Sequence, residues 1–242
     1  MSPPTTFAEV LSAQLRVDAG RPLVTFYDHE TGERVELSVT TYANWVAKAA
    51  SLLVDELDLE RGARLQVDLP THWLGPVFLG AAWIAGLAVV DTAPDAVVCG
   101  PQTLETWAAL SGELPVLACA LLPMGVRFPD QLPAGVRDVG VEIWGQPDAF
   151  VPWDPPDGAD LACDLGATTS TQRELWSAAA AGTLVTAGGR LLSVANPASP
   201  PGIATFSEPL LRGGSLVLVP RAGREQLEAT YAAERATARF PA

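Results

Sequence analysis

Apolar positions along the chain follow two rhythms, a short-run alternation and a helical spacing, and they succeed one another from end to end. The runs LVTFYD (23–28) and RVELSV (34–39), separated by HETGE, read as a hairpin. The following segment TTYANWVAKAASLLVDEL places Tyr42, Trp45, Val46, Ala49, Leu53 and Leu57 on one face of a helix. RLQVDL (64–69) is expected to be a strand, Thr71 to cap a helix over 72–86, and LAVVDT (87–92) to return as the next strand. AVVCG (96–100), VLACAL (116–121) and VGVEIW (139–144) are read as further strands. After them come LACDL, an alanine-rich helix from about Arg173, strand LLSVAN (191–196), a helix near 204–211, strand SLVLVP (215–220), a helix over 223–234 and a last short strand in ATARF.

Strands alternating with helices predict an α/β fold with largely parallel sheets, in which 64–69, 87–92 and 96–100 should be neighbours. Between Pro147 and Gly158 the sequence PDAFVPWDPPDG carries four prolines and no period. The expected organisation is therefore a first α/β subdomain over 1–146, a proline-rich linker over 147–160 and a second, smaller subdomain over 161–242.

Composition supports a folded chain, since 48% of the 242 residues are apolar and 18% charged. The longest apolar stretch, WLGPVFLGAAWIAGLAVV, holds three glycines and a proline, so it reads as a buried helix and strand and not as a membrane span. A formal charge of −13 opposes nucleic acid and anionic membrane surfaces, and neither is expected as a partner. The first residues, MSPPTTFAEV, do not resemble a secretory signal, and a cytoplasmic location is expected. Cys99, Cys119 and Cys163 lie apart in apolar company and read as buried thiols, with no metal-ligand spacing. His29, in YDHETG, sits in a turn whose neighbours point in different directions, so no metal is predicted there. No nucleophile elbow, dinucleotide fingerprint or Walker loop is present, and no partner serine is evident for His72.

Several segments occur in the order and spacing of the N-terminal half of the adenylate-forming enzymes: the acyl-CoA synthetases, peptide-synthetase adenylation domains and luciferases. LSVTTYANWVAKAASLL resembles that family's early helix. THWLGPVFLGAAWIAGLAVVDTAP is similar to its helix and strand around "A-G-A-x-x-x-P", through Ala85, Gly86, Ala88 and Pro94. AGGRLLSVANPASPPGIATFSEPLLRGGSLVLVPR resembles the segment after its phosphate loop. The resemblance covers most of the chain and implies the fold of that family's N-terminal domain in two α/β subdomains. A small group of short adenylation-domain-like proteins is the nearest resemblance.

The family's phosphate loop, T-S-G-T-T-G-x-P-K-G, should fall at LACDLGATTSTQREL. Such a loop aims backbone N–H groups at phosphate and adds a lysine. Gly166, Thr168 and Thr169 fit the pattern, but the second glycine falls on Thr169 or Ser170, the proline is missing, and the lysine position falls on Gln172 or Arg173. The residues Gly166, Thr168, Thr169, Ser170, Thr171 and Arg173 thus read as a remnant nucleotide loop, or as a polar turn capping the next helix. Lys48 is the one lysine and stands in the early helix, and the chain ends before the family's later motifs would occur. The expectation is a protein without adenylation chemistry that acts as a binding or interaction module. Its alternative is a weak ATP or AMP binder or residual AMP-dependent ligase. No cofactor is required on the first reading. Asn196, where the resemblance puts a pocket-lining turn, marks a possible cleft. Self-association as a dimer is also expected, because seven tryptophans and strands with uncovered edges in the second subdomain suggest a buried interface.

Overall fold

The structure is a computed structural model that describes residues 3–166 and 168–241. Helix α1 (Phe7–Asp18) opens the chain, capped by the Thr6 side chain on the Glu9 N–H. Strands β1 (Pro22–Asp28) and β2 (Glu33–Ser38) form the expected hairpin, and α2 (Val39–Ser51) follows with Ser38 as its cap. Then come β3 (Arg64–Asp68), α3 (Leu74–Ala85), β4 (Ala88–Val90), β5 (Ala96–Cys99), α4 (Leu104–Ala108), β6 (Val116–Ala118), β7 (Val136–Asp138) and α5 (Val139–Glu142). Beyond the proline-rich stretch lie β8 (Leu161–Leu165), β9 (Thr168–Thr171), α6 (Gln172–Ala181), β10 (Arg190–Ser193), α7 (Ile203–Leu211), β11 (Ser215–Leu218), α8 (Arg224–Ala233) and β12 (Ala238–Phe240).

Two mostly parallel sheets result. One runs β12-β10-β11-β1-β2 and the other β7-β6-β5-β3-β4-β8-β9. The expected adjacency of β3 with β4 and β5 is present, in parallel pairing. The sheets do not follow the division at 147–160. Strands β8 and β9 join the seven-stranded sheet of the first segment, while β1 and β2 join the five-stranded sheet of the second. Parallel pairing lets β4 accept β8, with Val89 opposite Cys163, across a long intervening segment. The proline-rich stretch is a surface connection within this arrangement, tied down where Arg61 meets Asp154, Asp157 and Asp160.

Helices α1, α2, α3, α6 and α7 pack on one another, and the main core joins them to one face of each sheet. Inward residues include Leu65 and Val98 of one sheet and Leu191 and Leu216 of the other. Their neighbours in sequence face outward: Val97 and Cys99 pack under α4, and Leu192 and Val217 under α8. At the centre, the rings of Phe7, Trp83 and Trp176 lie within 6.2 Å of one another by centroid.

Gln172 ties this layer together. It is fully buried, accepts the Phe7 N–H at 2.8 Å and donates to the Trp83 carbonyl at 2.7 Å. The Phe7 N–H is one of the donors a helix start leaves without an internal partner. Gln172→Leu is expected to leave it unpaired and to lower the unfolding free energy by about 2–3 kcal/mol, measured by urea denaturation.

Three expectations are corrected. VGVEIW is not a strand: β7 ends at Asp138, whose side chain accepts the Gly140 N–H at 2.9 Å and starts α5. Gly140 lies so close to the Val126–Arg127 backbone that a Cβ there would sit 2.4 Å away. Thr71 does not cap α3, which starts later, at Leu74, where the His72 Nδ1 accepts the Leu74 N–H at 3.3 Å. Strands β10 and β11 have no open edge, because β12 covers one side and β1 the other. That covering removes the edge argument for a dimer. Of the seven tryptophans, Trp73, Trp83 and Trp176 are buried, while Trp153 and Trp144 are 98% and 53% exposed. Among the described residues no helix is long and apolar enough to cross a membrane.

Candidate functional site

The remnant loop is a tight antiparallel hairpin. Leu165 pairs with Thr168, Asp164 with Thr169, Cys163 with Ser170, and Leu161 with Thr171, so β8 and β9 are two residues apart in the chain. Gly166 has φ +58°, the left-handed conformation that favours glycine at such a turn. The hydroxyls of Thr169, Ser170 and Thr171 are already engaged. Thr169 donates to Asp164 at 2.9 Å, and the Ser170 hydroxyl lies 3.1 Å from the Cys163 sulfur. Thr171 and Glu174 form a capping box that starts α6, with the Thr171 N–H on the Glu174 carboxylate at 2.8 Å.

Arg173 turns away from the hairpin tip. Its N–H binds the Gly158 carbonyl at 3.0 Å, and its guanidinium packs over Gly158. Lys48 lies far along the chain, held by Asp148 at 3.1 Å and by the Gln146 carbonyl. The structure therefore brings Thr168 and Ser170 together with Cys163 on the rim of a largely apolar cavity of about 270 Å³ between α6 and α7 whose described lining holds no cation, while Arg64 reaches Asp164 of β8 at 3.5 Å. Burial raises the Cys163 thiol, only partly offset by Ser170, pushes Cys99 up to about 12 and raises Cys119 well above the ordinary range. All three remain protonated, free and buried, as their apolar surroundings predicted.

Asn196 acts as a clasp. Its Nδ2 donates to the Leu69 carbonyl at 2.7 Å and its Oδ1 accepts the Ala198 N–H at 3.0 Å, which fixes the loop after β10 against the loop after β3. The neighbouring Thr71 and Val194 line a different cavity, of about 390 Å³, where the carboxyl ends of strands from both sheets converge. Phe26 and Asp28 come from β1, Pro70 and His72 follow β3, Leu121 follows β6, and Arg221 follows β11. Crevices outside strand carboxyl ends are the usual ligand sites of α/β sheets.

Sequence reasoning missed this cleft, because its walls come from segments up to about two hundred residues apart. His72 is 4% exposed, and burial holds its imidazole down to about 3 against a weak opposing pull from Asp28. Burial pushes Asp28 up, but the Glu30 N–H and the Arg221 guanidinium at 2.7 Å outweigh it and hold the carboxyl below its usual range. Glu33 is raised, by burial first and by the Asp28 charge second. Among the described residues no group of His, Cys, Asp or Glu could hold a metal ion.

This arrangement, two mostly parallel sheets with a shared helical layer, matches the fold of the N-terminal half of adenylate-forming enzymes. The chain superposes on an acyl-CoA synthetase from Brucella canis with a TM-score of 0.78 at 16% identity, over 96% of this chain and 49% of that one. It superposes equally on a long-chain-fatty-acid-CoA ligase from Archaeoglobus fulgidus, with a TM-score of 0.78 at 12% identity, over 98% and 52%. The N-terminal domain of FACL13 from Mycobacterium tuberculosis aligns with a TM-score of 0.72 at 14% identity, over 98% and 62%. The chain thus spans about half the length of the synthetase and ligase structures it matches. No family model matches it. In sequence it is 36% identical over 247 residues to a TIGR03089 family protein from Mycobacterium tuberculosis (strain ATCC 25618 / H37Rv), over 98% of this chain and 99% of that one, and it belongs to that family.

Proposed function

We propose that the chain is a binding module which keeps the adenylate-forming fold without adenylation chemistry, and that it takes its ligand in the cleft between the two sheets. The observation that carries this reading is the register of the β8–β9 hairpin. With Leu165 opposite Thr168, the residues that should wrap a triphosphate are spent in a strand ladder. A phosphate loop needs several successive N–H groups free to converge on one oxygen cluster, and a two-residue turn offers no such run. The Arg173 guanidinium packs over Gly158, Arg64 is paired with Asp164 at 3.5 Å and Lys48 with Asp148 at 3.1 Å.

A second reading, weak adenylate binding at the hairpin, draws on the exposed Thr168 and Thr169 at its tip. The two readings separate in a thermal-shift and calorimetric titration with ATP and AMP. A ligand present at about one hundred times its Kd would stabilise the chain by about 2.7 kcal/mol. The expected result is no shift with either nucleotide. A dose-dependent rise with AMP that Thr169→Val abolishes would replace the first reading with the second.

A further inference from the structure

The proline-rich connection holds two large apolar side chains out in solvent. Trp153 and Val151, at 98% and 86%, are the most exposed large apolar side chains among the described residues. They do not ride on a loose loop. Pro152, Pro155 and Pro156 restrict the backbone around them, and Arg61 holds Asp154 at 3.0 Å, Asp157 at 3.3 Å and Asp160 at 2.9 Å. The Asp157 N–H on Asp160 and the Ala159 N–H on Asp157, both at 2.6 Å, fasten the end of the stretch. An indole kept in water by a restrained backbone suits an interface, where tryptophan is enriched and a preorganised anchor loses little entropy on binding.

Trp153 lines a cavity of about 410 Å³ to which Val54, Leu59 and Ala85 give apolar lining. Asp58 and Glu60 line it too, and both are exposed. Arg61 is the one cation among the described lining residues, and Asp154, Asp157 and Asp160 share its charge, which leaves Asp58 and Glu60 without a counter-ion. The surface thus offers an aromatic face, an apolar hollow and uncompensated negative charge. A cation on an apolar stem answers all three. A guanidinium fits better than an ammonium, because its flat fork stacks on an indole, pairs with carboxylates and gives up water more readily. A second copy of this chain is not complementary, since it would bring the same acids and a formal charge of −13 with it.

We propose that the Trp153 surface docks a basic segment of a partner protein, with an arginine side chain lying on the indole and its guanidinium paired with Asp58 and Glu60. The surface shares no lining residue with the cleft at the strand carboxyl ends, so it is a second site and stands or falls apart from that one. Its residues can be changed without touching the core. Trp153→Ala removes the stacking face from a side chain that is almost wholly in solvent. Asp58→Asn and Glu60→Gln remove charge at constant size, and asparagine tolerates the φ of +54° at position 58. Glu105 of α4, an exposed acid that does not line this cavity, serves as the control through Glu105→Gln.

The probe is a labelled, end-capped peptide of alternating arginine and leucine, titrated with the full chain by fluorescence anisotropy at low salt. The same peptide with citrulline for arginine is its uncharged counterpart. Saturable binding of the arginine peptide is expected, about tenfold or more weaker in Trp153→Ala, in the Asp58→Asn, Glu60→Gln double variant and for the citrulline peptide, and within about twofold of wild type in Glu105→Gln. Added salt should weaken it, as exposed charge pairs are screened. In the wild-type protein the Trp153 indole N–H resonance should move with peptide occupancy, a readout that needs no variant. No saturable binding, an unaffected Trp153→Ala, equal affinity for the citrulline peptide, an equal loss in Glu105→Gln or an unmoved indole resonance at saturation would each overturn the proposal. So would a dimer, seen by light scattering on a sizing column, that Trp153→Ala dissociates, because the face would then belong to a second copy.

Discussion

Trp83→Ala is expected to lower the unfolding free energy by about 5 kcal/mol in urea denaturation, enough to leave little folded protein if the chain has ordinary stability. Trp83 is fully buried in α3, and its ring touches three others, with centroids at 5.9 Å from Phe7, 5.8 Å from Trp176 and 6.4 Å from Phe206. Those partners come from α1, α6 and α7, so the indole is the contact point of four helices that lie between the sheets. Truncation to a methyl removes that area and leaves a void that four helix backbones cannot close together. It also removes the indole N–H that the Ala162 carbonyl of β8 receives at 3.0 Å. Trp83→Phe should recover most of the packing and cost about 1–2 kcal/mol, chiefly for the lost hydrogen bond and partial void. Equal losses in the two variants would mean that the hydrogen bond, and not the packing, dominates.

Acidification should destabilise the protein through His72 more than through any exposed group. The folded imidazole titrates at about 3, below the ordinary 6.5, because burial disfavours its charged form. A depressed pKa means that the unfolded chain binds the proton first. The stability that comes from keeping His72 neutral is therefore fully present above about pH 6.5 and is lost as pH falls towards about 3. Between about pH 7 and about pH 4.5 the loss from this residue should be about 2–3 kcal/mol. Glu33 acts in the opposite sense, since its raised carboxyl takes up a proton more readily in the folded state, and Asp28 acts in the same sense as His72. Both carboxyls remain in His72→Asn, so the difference between wild type and variant isolates the imidazole. Urea denaturation of the two proteins at several pH values should show the wild-type curve falling more steeply. Parallel curves would mean that the ring has access to water.

Much of the fold was legible because it is local. The period of Tyr42, Val46 and Ala49 predicted α2, and all three are buried, as is Leu53 just beyond its end. The HETGE turn predicted the β1–β2 hairpin, and the alternation of helices with apolar strands predicted parallel sheets and the adjacency of β3, β4 and β5. Sheet membership was not legible, because β8 joins β4 and β1 joins β11 through pairings that no local pattern encodes. VGVEIW alternates like a strand, yet the capping carboxylate of Asp138 and the backbone packed against Gly140 outweigh that preference. At the candidate site, the polar turn that caps α6 was readable from Thr168 to Thr171, and the structure adds Glu174 as the partner of Thr171. The direction of Arg173 was not, because it depends on where Gly158 sits. The cleft at His72 was invisible, since nothing beside His72 in sequence signals Phe26, Glu33 or Leu121 as its neighbours in space.

Whether the hairpin has given up adenylation chemistry is tested most directly by carboxylate-dependent exchange of labelled pyrophosphate into ATP, run with magnesium over a panel of fatty, aromatic and amino acids. With Thr168 to Thr171 paired along β8, the Arg173 guanidinium packed over Gly158 and Lys48 held by Asp148, no acid in the panel should give exchange above a heat-denatured control. Exchange that requires both a particular carboxylic acid and folded protein would contradict the account.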